Sequence, residues 1–288
     1  MKSGDSKIGL GTGTLASVGK GTSAKTVDAI VGAARDLGVK VIDTADSYTS
    51  GCCESLLGAA LAGRRDDFAI ITKAGYRHGT LPAPLEAANP YLKRVYRMIG
   101  KPQCFSPGYL AKCLDRSLAR LRTDRVEAFL LHDPPPDILT DSKLHETLEG
   151  FRRAGKVIDI GVATLRADVI QGLADAPSFK ILECPLSLWV DPTLRQFWAS
   201  AHAASLKLIA NNVFFSGSMP KSGRLPEIAR NLGIPLHELL MRFAASRSGI
   251  QTILAGTRNP DHLAESVKWA ASPLTPETSD WVAAAFAG

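Results

Sequence analysis

Eight times along this chain a short run of β-branched and aliphatic residues is followed by a stretch with helical character, and this alternation restricts the fold more than any other feature. The runs are KIGLG (7–11), VKVID (39–43), FAIITK (68–73), VEAFLLH (126–132), VIDIGVA (157–163), FKILEC (179–184), LKLIA (206–210) and IQTILAG (250–256). Between them lie amphipathic or helix-favouring stretches such as SAKTVDAIVGAARDLG, YLAKCLDRSLARLR, SKLHETLEGFRRAG and PLHELLMRFAASRSG, several closed by a glycine at the expected helix end. Strands separated by helical crossovers pair in parallel, and eight such units in 288 residues predict a closed (β/α)8 barrel, an α/β fold in one domain over residues 1–288. An open doubly wound sheet fits less well: GLGTGT at 9–14 lacks the spacing of a dinucleotide-binding glycine turn, and no acidic residue follows a second strand in the usual way.

Hydrophobic residues make up 45% of the chain and charged residues 22%, enough apolar surface for a large core. The formal charge of +6 is scattered, which suits a small anionic ligand better than nucleic acid. Five cysteines (Cys52, Cys53, Cys104, Cys113, Cys184) contain no CxxC pair, so neither a disulfide framework nor a structural zinc is expected. No run approaches the roughly 18 apolar residues of a membrane span, and the first residues lack a signal-peptide core, so the expected location is the cytoplasm, away from membranes.

One connection, residues 74–107, is long enough to expect a function of it. It carries Arg77, Lys93, Arg94, Arg97 and Lys101 against Glu86 alone, with Tyr76, Tyr91 and Tyr96 among them. In a barrel it overhangs the C-terminal face, where active sites sit, and it points to an anionic or hydroxylated substrate, with Trp189 offering an apolar wall.

The same face collects chemistry. Asp43, Lys73 and His132 end the second, third and fourth strands, and Tyr48 lies on the loop after the second. A phenol ionises near pH 10 and becomes a better proton donor when an ammonium stabilises its anion. Lys73 is therefore expected to lower the Tyr48 pKa, with Asp43 as the counter-charge that keeps the lysine protonated and His132 orienting a carbonyl oxygen beside the phenol. A metal-dependent site built on Asp43, His132 and Asp133 would need further ligands; His78, His145, His202, His237 and His262 fall on loops or helices, and no metal is expected.

The order Asp-x4-Tyr, strand-terminal Lys, strand-terminal His resembles the aldo-keto reductase superfamily. IDTADSY, ESLLG, FAIITK, SLARLRTDRVEAFLLHDP, LEGFRRAGKVIDIGVAT and TILAGTRNPDHLAES are similar to that family's motifs in order, over about residues 7–270. The resemblance implies an oxidoreductase interconverting a carbonyl (aldehyde, ketone or sugar) and an alcohol, with a nicotinamide cofactor as hydride source, Tyr48 as general acid and base, and Asp43, Lys73 and His132 as its partners. It implies cofactor contacts at Thr164, Glu183 and Asn211 around the nicotinamide, Ser216 and Gly217 at the pyrophosphate, and Gly256, Thr257, Arg258 and His262 at the adenosine phosphate. Arg258, before a helix capped by Asn259 with Pro260 in its first turn, favours NADP, with NAD as the alternative.

The chain departs from the family pattern around the nicotinamide. Ala163-Thr164 replaces a Ser-Asn pair, Glu183 a Gln, Asn211 an aromatic residue whose surface Phe214 or Phe215 can supply, and His262 an Arg. Two extra residues separate Tyr48 from Glu54, after the phenol rather than before it. These changes leave a second reading open, a cofactor- or metabolite-binding barrel with weakened or no redox catalysis.

Overall fold

Along each strand successive side chains point to opposite faces, and in this chain the two faces go to two different cores. In the computed structural model, which describes residues 6–15, 23–78, 102–200, 203 and 205–286, the strands are β1 (Ile8–Gly11), β2 (Val41–Asp43), β3 (Ala69–Ala74), β4 (Val126–His132), β5 (Val157–Ala163), β6 (Ile181–Pro185), β7 (Lys207–Asn211) and β8 (Ile250–Ala255). Each pairs in parallel with the next, and β1 closes on β8 with Leu10 opposite Ala255. The predicted eight-stranded barrel is thus the fold found. Strand boundaries shift by one or two residues at several ends.

Val41, Ile71, Ala128, Leu130, Ile181, Ile209 and Leu254 point inward and fill the barrel, while Ile42, Ile70, Phe129, Ile160, Leu182, Ala210 and Ile253 point outward into the larger core under the helices. One position limits side-chain size absolutely: a Cβ on Gly161 would stand 2.4 Å from the Ile181 carbonyl oxygen, so β5 and β6 meet there only because the residue is glycine.

The covering helices supply matching apolar faces. α1 (Ala24–Asp36) buries Val27, Ile30, Val31 and Ala34, and its first turn is capped by the Ser23 hydroxyl accepting from the Thr26 N–H at 3.1 Å. α2 (Cys52–Ala60) packs against α3 (Pro107–Leu121) so closely that a Cβ on Gly58 would lie 2.2 Å from the Arg120 carbonyl oxygen. Further round lie α4 (Ser142–Arg153), capped by Asp141, and α5 (Ala167–Gly172), α6 (Arg195–Trp198), α7 (Arg224–Asn231), α8 (Leu236–Ser246), α9 (Pro260–Ala270) and α10 (Pro276–Phe286). Among the described residues no helix is long and apolar enough to cross a membrane. All five cysteines are free thiols.

The centre of the long connection, 79–101, with Lys93, Arg94, Arg97, Lys101, Tyr91 and Tyr96, lies outside the described residues. Its two stems pair as an antiparallel bridge: Tyr76 opposes Gln103, the Arg77 N–H donates to the Pro102 carbonyl, and the Cys104 N–H donates to that of Gly75, both at 2.7 Å.

Candidate active site at the barrel mouth

Two residues beyond the apolar interior layer the same inward-facing positions turn polar. Val41 is followed by Asp43, Ile71 by Lys73, Leu130 by His132, Ile181 by Glu183 and Ile209 by Asn211. Strand periodicity alone therefore gathers five polar side chains at the C-terminal mouth. Asp43, Lys73 and Glu183 are almost completely buried.

Lys73 is the hub. Its ammonium donates to both Asp43 carboxylate oxygens at 2.5 and 2.6 Å and to the Thr44 carbonyl at 3.1 Å. Glu183 Oε2 stands 3.3 Å from the same nitrogen. Burial alone would push the lysine toward its neutral form, but Asp43, Glu183 and Tyr48 outweigh it and hold the pKa above the ordinary value. Asp43 goes well above the usual carboxylate range, through burial first and the neighbouring Glu183 charge second, with Lys73 opposing both.

Tyr48 follows β2 on a single turn of 3-10 helix, its ring centroid 5.5 Å from the Lys73 ammonium and 6.2 Å from the His132 imidazole, edge-on. The two extra residues after it are absorbed by a run of left-handed backbone, φ +47° at Thr49, +54° at Ser50 and +91° at Gly51, before α2 begins. The chain needs this local excursion because α2 is anchored elsewhere. Buried Glu54 pairs with Arg120 of α3 at 2.6 Å and accepts from the Thr72 hydroxyl of β3 at 2.6 Å.

The expected lowering of the Tyr48 pKa is overturned. Lys73 is the largest influence and pulls it down, but burial, Asp43 and Glu183 together push it up to about 12. The physical reason is burial first, which disfavours a phenolate, and then the two carboxylates, Asp43 and Glu183, that share the one ammonium and would make the phenolate a third anion around it.

His132 is framed by residues the sequence did not single out as a group. The Tyr76 ring meets it edge-on at 4.9 Å and the Tyr76 hydroxyl donates to Asp133 Oδ2 at 2.9 Å. Gln103 donates to the Asp133 carbonyl at 2.7 Å, and the Leu165 N–H donates to Asp133 Oδ1 at 2.8 Å. Asp133 holds a left-handed φ of +53°. The stems of the long connection thus lock the end of β4. The available signal was positional only, since Tyr76 and Gln103 flank the two ends of that connection.

A cavity of about 830 Å³ opens from this mouth across the ends of β6, β7 and β8. Tyr48, Asp43 and His132 stand on its wall, as do Thr164, Glu183, Asn211, Gly217, Gly256, Thr257 and His262. Arg258, expected as a phosphate contact, is half-buried and is not on that wall; Ser216 is described by its backbone alone. Phe214 faces the cavity beside His237, whereas Phe215 turns away and stacks on Phe286 at 5.9 Å. Trp189 does not form the expected cavity wall: it is buried against Trp198, ring centroids 4.4 Å apart, because the chain after β6 turns at once into a 3-10 turn over Leu186–Trp189. The expected start of α9 is present, with Asn259 Oδ1 accepting from the Asp261 N–H at 3.0 Å and Pro260 at the first helical position. His237, Glu265 and Trp269 also line the cavity without having been anticipated there.

The end of the cavity lined by Glu183 and Asn211 offers acceptors. Asn211 donates its amide to Glu183 Oε1 at 2.8 Å, which leaves Asn211 Oδ1 buried with no hydrogen bond and Glu183 Oε2 with only the Lys73 ammonium at 3.3 Å. A carboxamide NH2 is the complementary donor, so the residues present fit a nicotinamide, through acceptors where a glutamine would have offered both functions. Among the described residues no group of three or more His, Cys, Asp or Glu side chains is arranged to hold a metal ion.

The model of the Aldo/keto reductase family matches residues 7–285. The chain is 25% identical to a pyridoxal 4-dehydrogenase of Microbacterium luteolum, over 91% of this chain and 88% of that one. It is 26% identical to a D-threo-aldose 1-dehydrogenase of a Pseudomonas species, over 92% and 89%. Among solved structures it shares the fold of an aldo-keto reductase from Bacillus halodurans in its holo form, with a TM-score of 0.74 at 22% identity over 96% of this chain and 90% of that one. It also shares the fold of a Klebsiella pneumoniae aldo/keto reductase in complex with NADP and acetate, with a TM-score of 0.71 at 21% identity over 97% and 91%.

Proposed function

The chain belongs to the aldo/keto reductase family of oxidoreductases, and on that premise we propose that its barrel mouth interconverts a small carbonyl compound and the corresponding alcohol with NADP in preference to NAD. The observation that carries this reading is the juxtaposition of the Tyr48 phenol, the Asp43–Lys73 pair beneath it and His132 beside it on one cavity wall. When bound there, the nicotinamide supplies or accepts the hydride.

Tyr48 gives its proton to the carbonyl oxygen in reduction and takes it back in oxidation. With a pKa near 12 the phenol is fully protonated at neutral pH, and an alkoxide is a stronger base than its phenolate, so transfer runs downhill once negative charge reaches the substrate oxygen. Lys73, fixed by Asp43, stabilises the phenolate left behind. His132, held by the Tyr76 ring at the end of β4, orients the carbonyl oxygen. Thr164, Glu183 and Asn211 would hold the carboxamide end of the cofactor, and Gly256, Thr257 and His262 its phosphate end. Relatives named for pyridoxal and for an aldose support a hydroxylated aldehyde, lactol or sugar as the substrate class.

The test is Tyr48→Phe. Turnover should fall by about a hundredfold to ten-thousandfold, the usual worth of a positioned acid, while the NADPH dissociation constant changes little. Turnover within threefold of the native protein overturns the role of Tyr48. The binding-barrel reading, which the Asn211–Glu183 bond favours, wins if the native protein binds NADPH and transfers no hydride to any aldehyde, ketone or sugar offered.

A further inference from the structure

Glu183 is a second carboxylate on a single buried ammonium. It is 3% exposed, its Oε2 stands 3.3 Å from Lys73 Nζ, and its Oε1 is held by Asn211 at 2.8 Å. Asp43 already satisfies that ammonium with two short hydrogen bonds. With both carboxylates ionised the cluster carries one more negative charge than positive, and Asp43 and Glu183 face the cavity rather than solvent. The consequence is visible in Asp43, where burial and the Glu183 charge hold the carboxyl above its usual range.

The position of this excess charge matters because of what must come next to it. A ring that passes hydride to a carbon whose oxygen is bonded to Tyr48 sits within a few ångströms of the Tyr48–Lys73 contact, hence of Glu183. In reduction the carbonyl carbon gains a hydride with both electrons of the broken ring C–H bond, its oxygen gains the Tyr48 proton, and the ring left behind acquires a full positive charge. In oxidation the same bonds form and break in reverse, and the ring's charge is lost. Unit charges a few ångströms apart in a site shielded from water interact far more strongly than in bulk water, and a group that interacts more strongly with the charge developing in the transition state than with the ground state speeds the step.

We propose that Glu183 makes this mouth select the oxidised, cationic nicotinamide over the reduced, neutral one, so that bound NADPH is driven to give up its hydride and carbonyl reduction is the favoured chemical direction, with NADP+ a strong product inhibitor. This rests on the nicotinamide chemistry proposed above and extends it to direction and inhibition. A glutamine of the same size at this position would leave the cluster neutral; the carboxylate is the difference.

The experiment is calorimetric titration of the native protein, Glu183→Gln, Glu183→Asp and Tyr48→Phe with NADP+ and with NADPH, each variant first checked for a native melting transition. In Glu183→Gln the preference for NADP+ over NADPH, expressed as the ratio of their dissociation constants, should fall about tenfold, equivalent to about 1.4 kcal/mol. Glu183→Asp, which keeps the charge, should retain most of it. Should Glu183→Gln not fold, Glu183→Ala carries the same expectation. A ratio within twofold of native in the uncharged variant overturns the inference, while measurable binding of both cofactors and loss of turnover in Tyr48→Phe leave the reductase reading standing. Failure of the native protein to bind either cofactor overturns both.

Discussion

The ammonium of Lys73 answers to Asp43 at 2.5 Å and to Glu183 at 3.3 Å, and the pH behaviour of Tyr48 follows from that sharing. The folded-state pKa of about 12 lies above the reference value of 10.0. A group raised in this way adds its stabilisation in full below pH 10 and loses it as pH climbs through 12. The melting temperature of the native protein should therefore drop more steeply between pH 10 and 12 than that of Tyr48→Phe; parallel curves would mean that the phenol titrates as if exposed. The convergence of Asp43, Tyr48, Lys73 and His132 at one mouth was legible in the sequence because each stands at or near a strand end in a motif of recognisable order. The sign of the Tyr48 shift was not. It depends on how deeply the ring is buried and on two carboxylates sharing one ammonium, Asp43 and Glu183, the latter reaching Lys73 from a strand 110 positions away that does not pair with β3.

At the level of elements, α2 is held by the Glu54 carboxylate between Arg120 on α3 and Thr72 on the outward face of β3. Arg120→Met would leave that carboxylate buried with only a hydroxyl for company. Losing one partner of a buried pair costs about 3 kcal/mol or more, so its denaturation midpoint should fall accordingly. Turnover should fall with it, since the start of α2 tethers the Tyr48 turn. An unchanged midpoint would show that Thr72 alone satisfies Glu54. Gly58→Ala, with its Cβ 2.2 Å from a backbone oxygen, should cost about 1–3 kcal/mol by forcing α2 from α3. Strands and helices were legible because β-branched runs and 3.6-residue periodicity record burial directly. The path after β6 was not: nothing in LSLW says that a 3-10 turn will carry Trp189 away from the cavity and onto Trp198. Likewise Thr49 and Ser50 are ordinary letters in the sequence, and their left-handed conformation follows from the two anchored ends they join.

For the molecule as a whole, the barrel separates stability from chemistry along its axis: apolar layers within, a polar ring at one mouth, and a cavity of about 830 Å³ beyond. A ligand that binds only the folded barrel stabilises it by RT ln(1 + [L]/Kd), about 2.7 kcal/mol at a hundredfold excess over Kd. For a domain of this size that corresponds to roughly 4–6 °C in melting temperature. NADPH should produce such a rise and NADH a smaller one; equal rises would remove the preference for NADP. The tryptophans give the same event an optical signature. Trp189 and Trp198 are stacked on each other, Trp281 is 52% exposed, and Trp269 alone of the four lines the cavity. Reduced nicotinamide absorbs light at the wavelengths where indole emits, so filling the cavity should dim Trp269 most and pass its energy to the cofactor. Trp269 emission should therefore report both occupancy and redox state, because the oxidised ring does not absorb there.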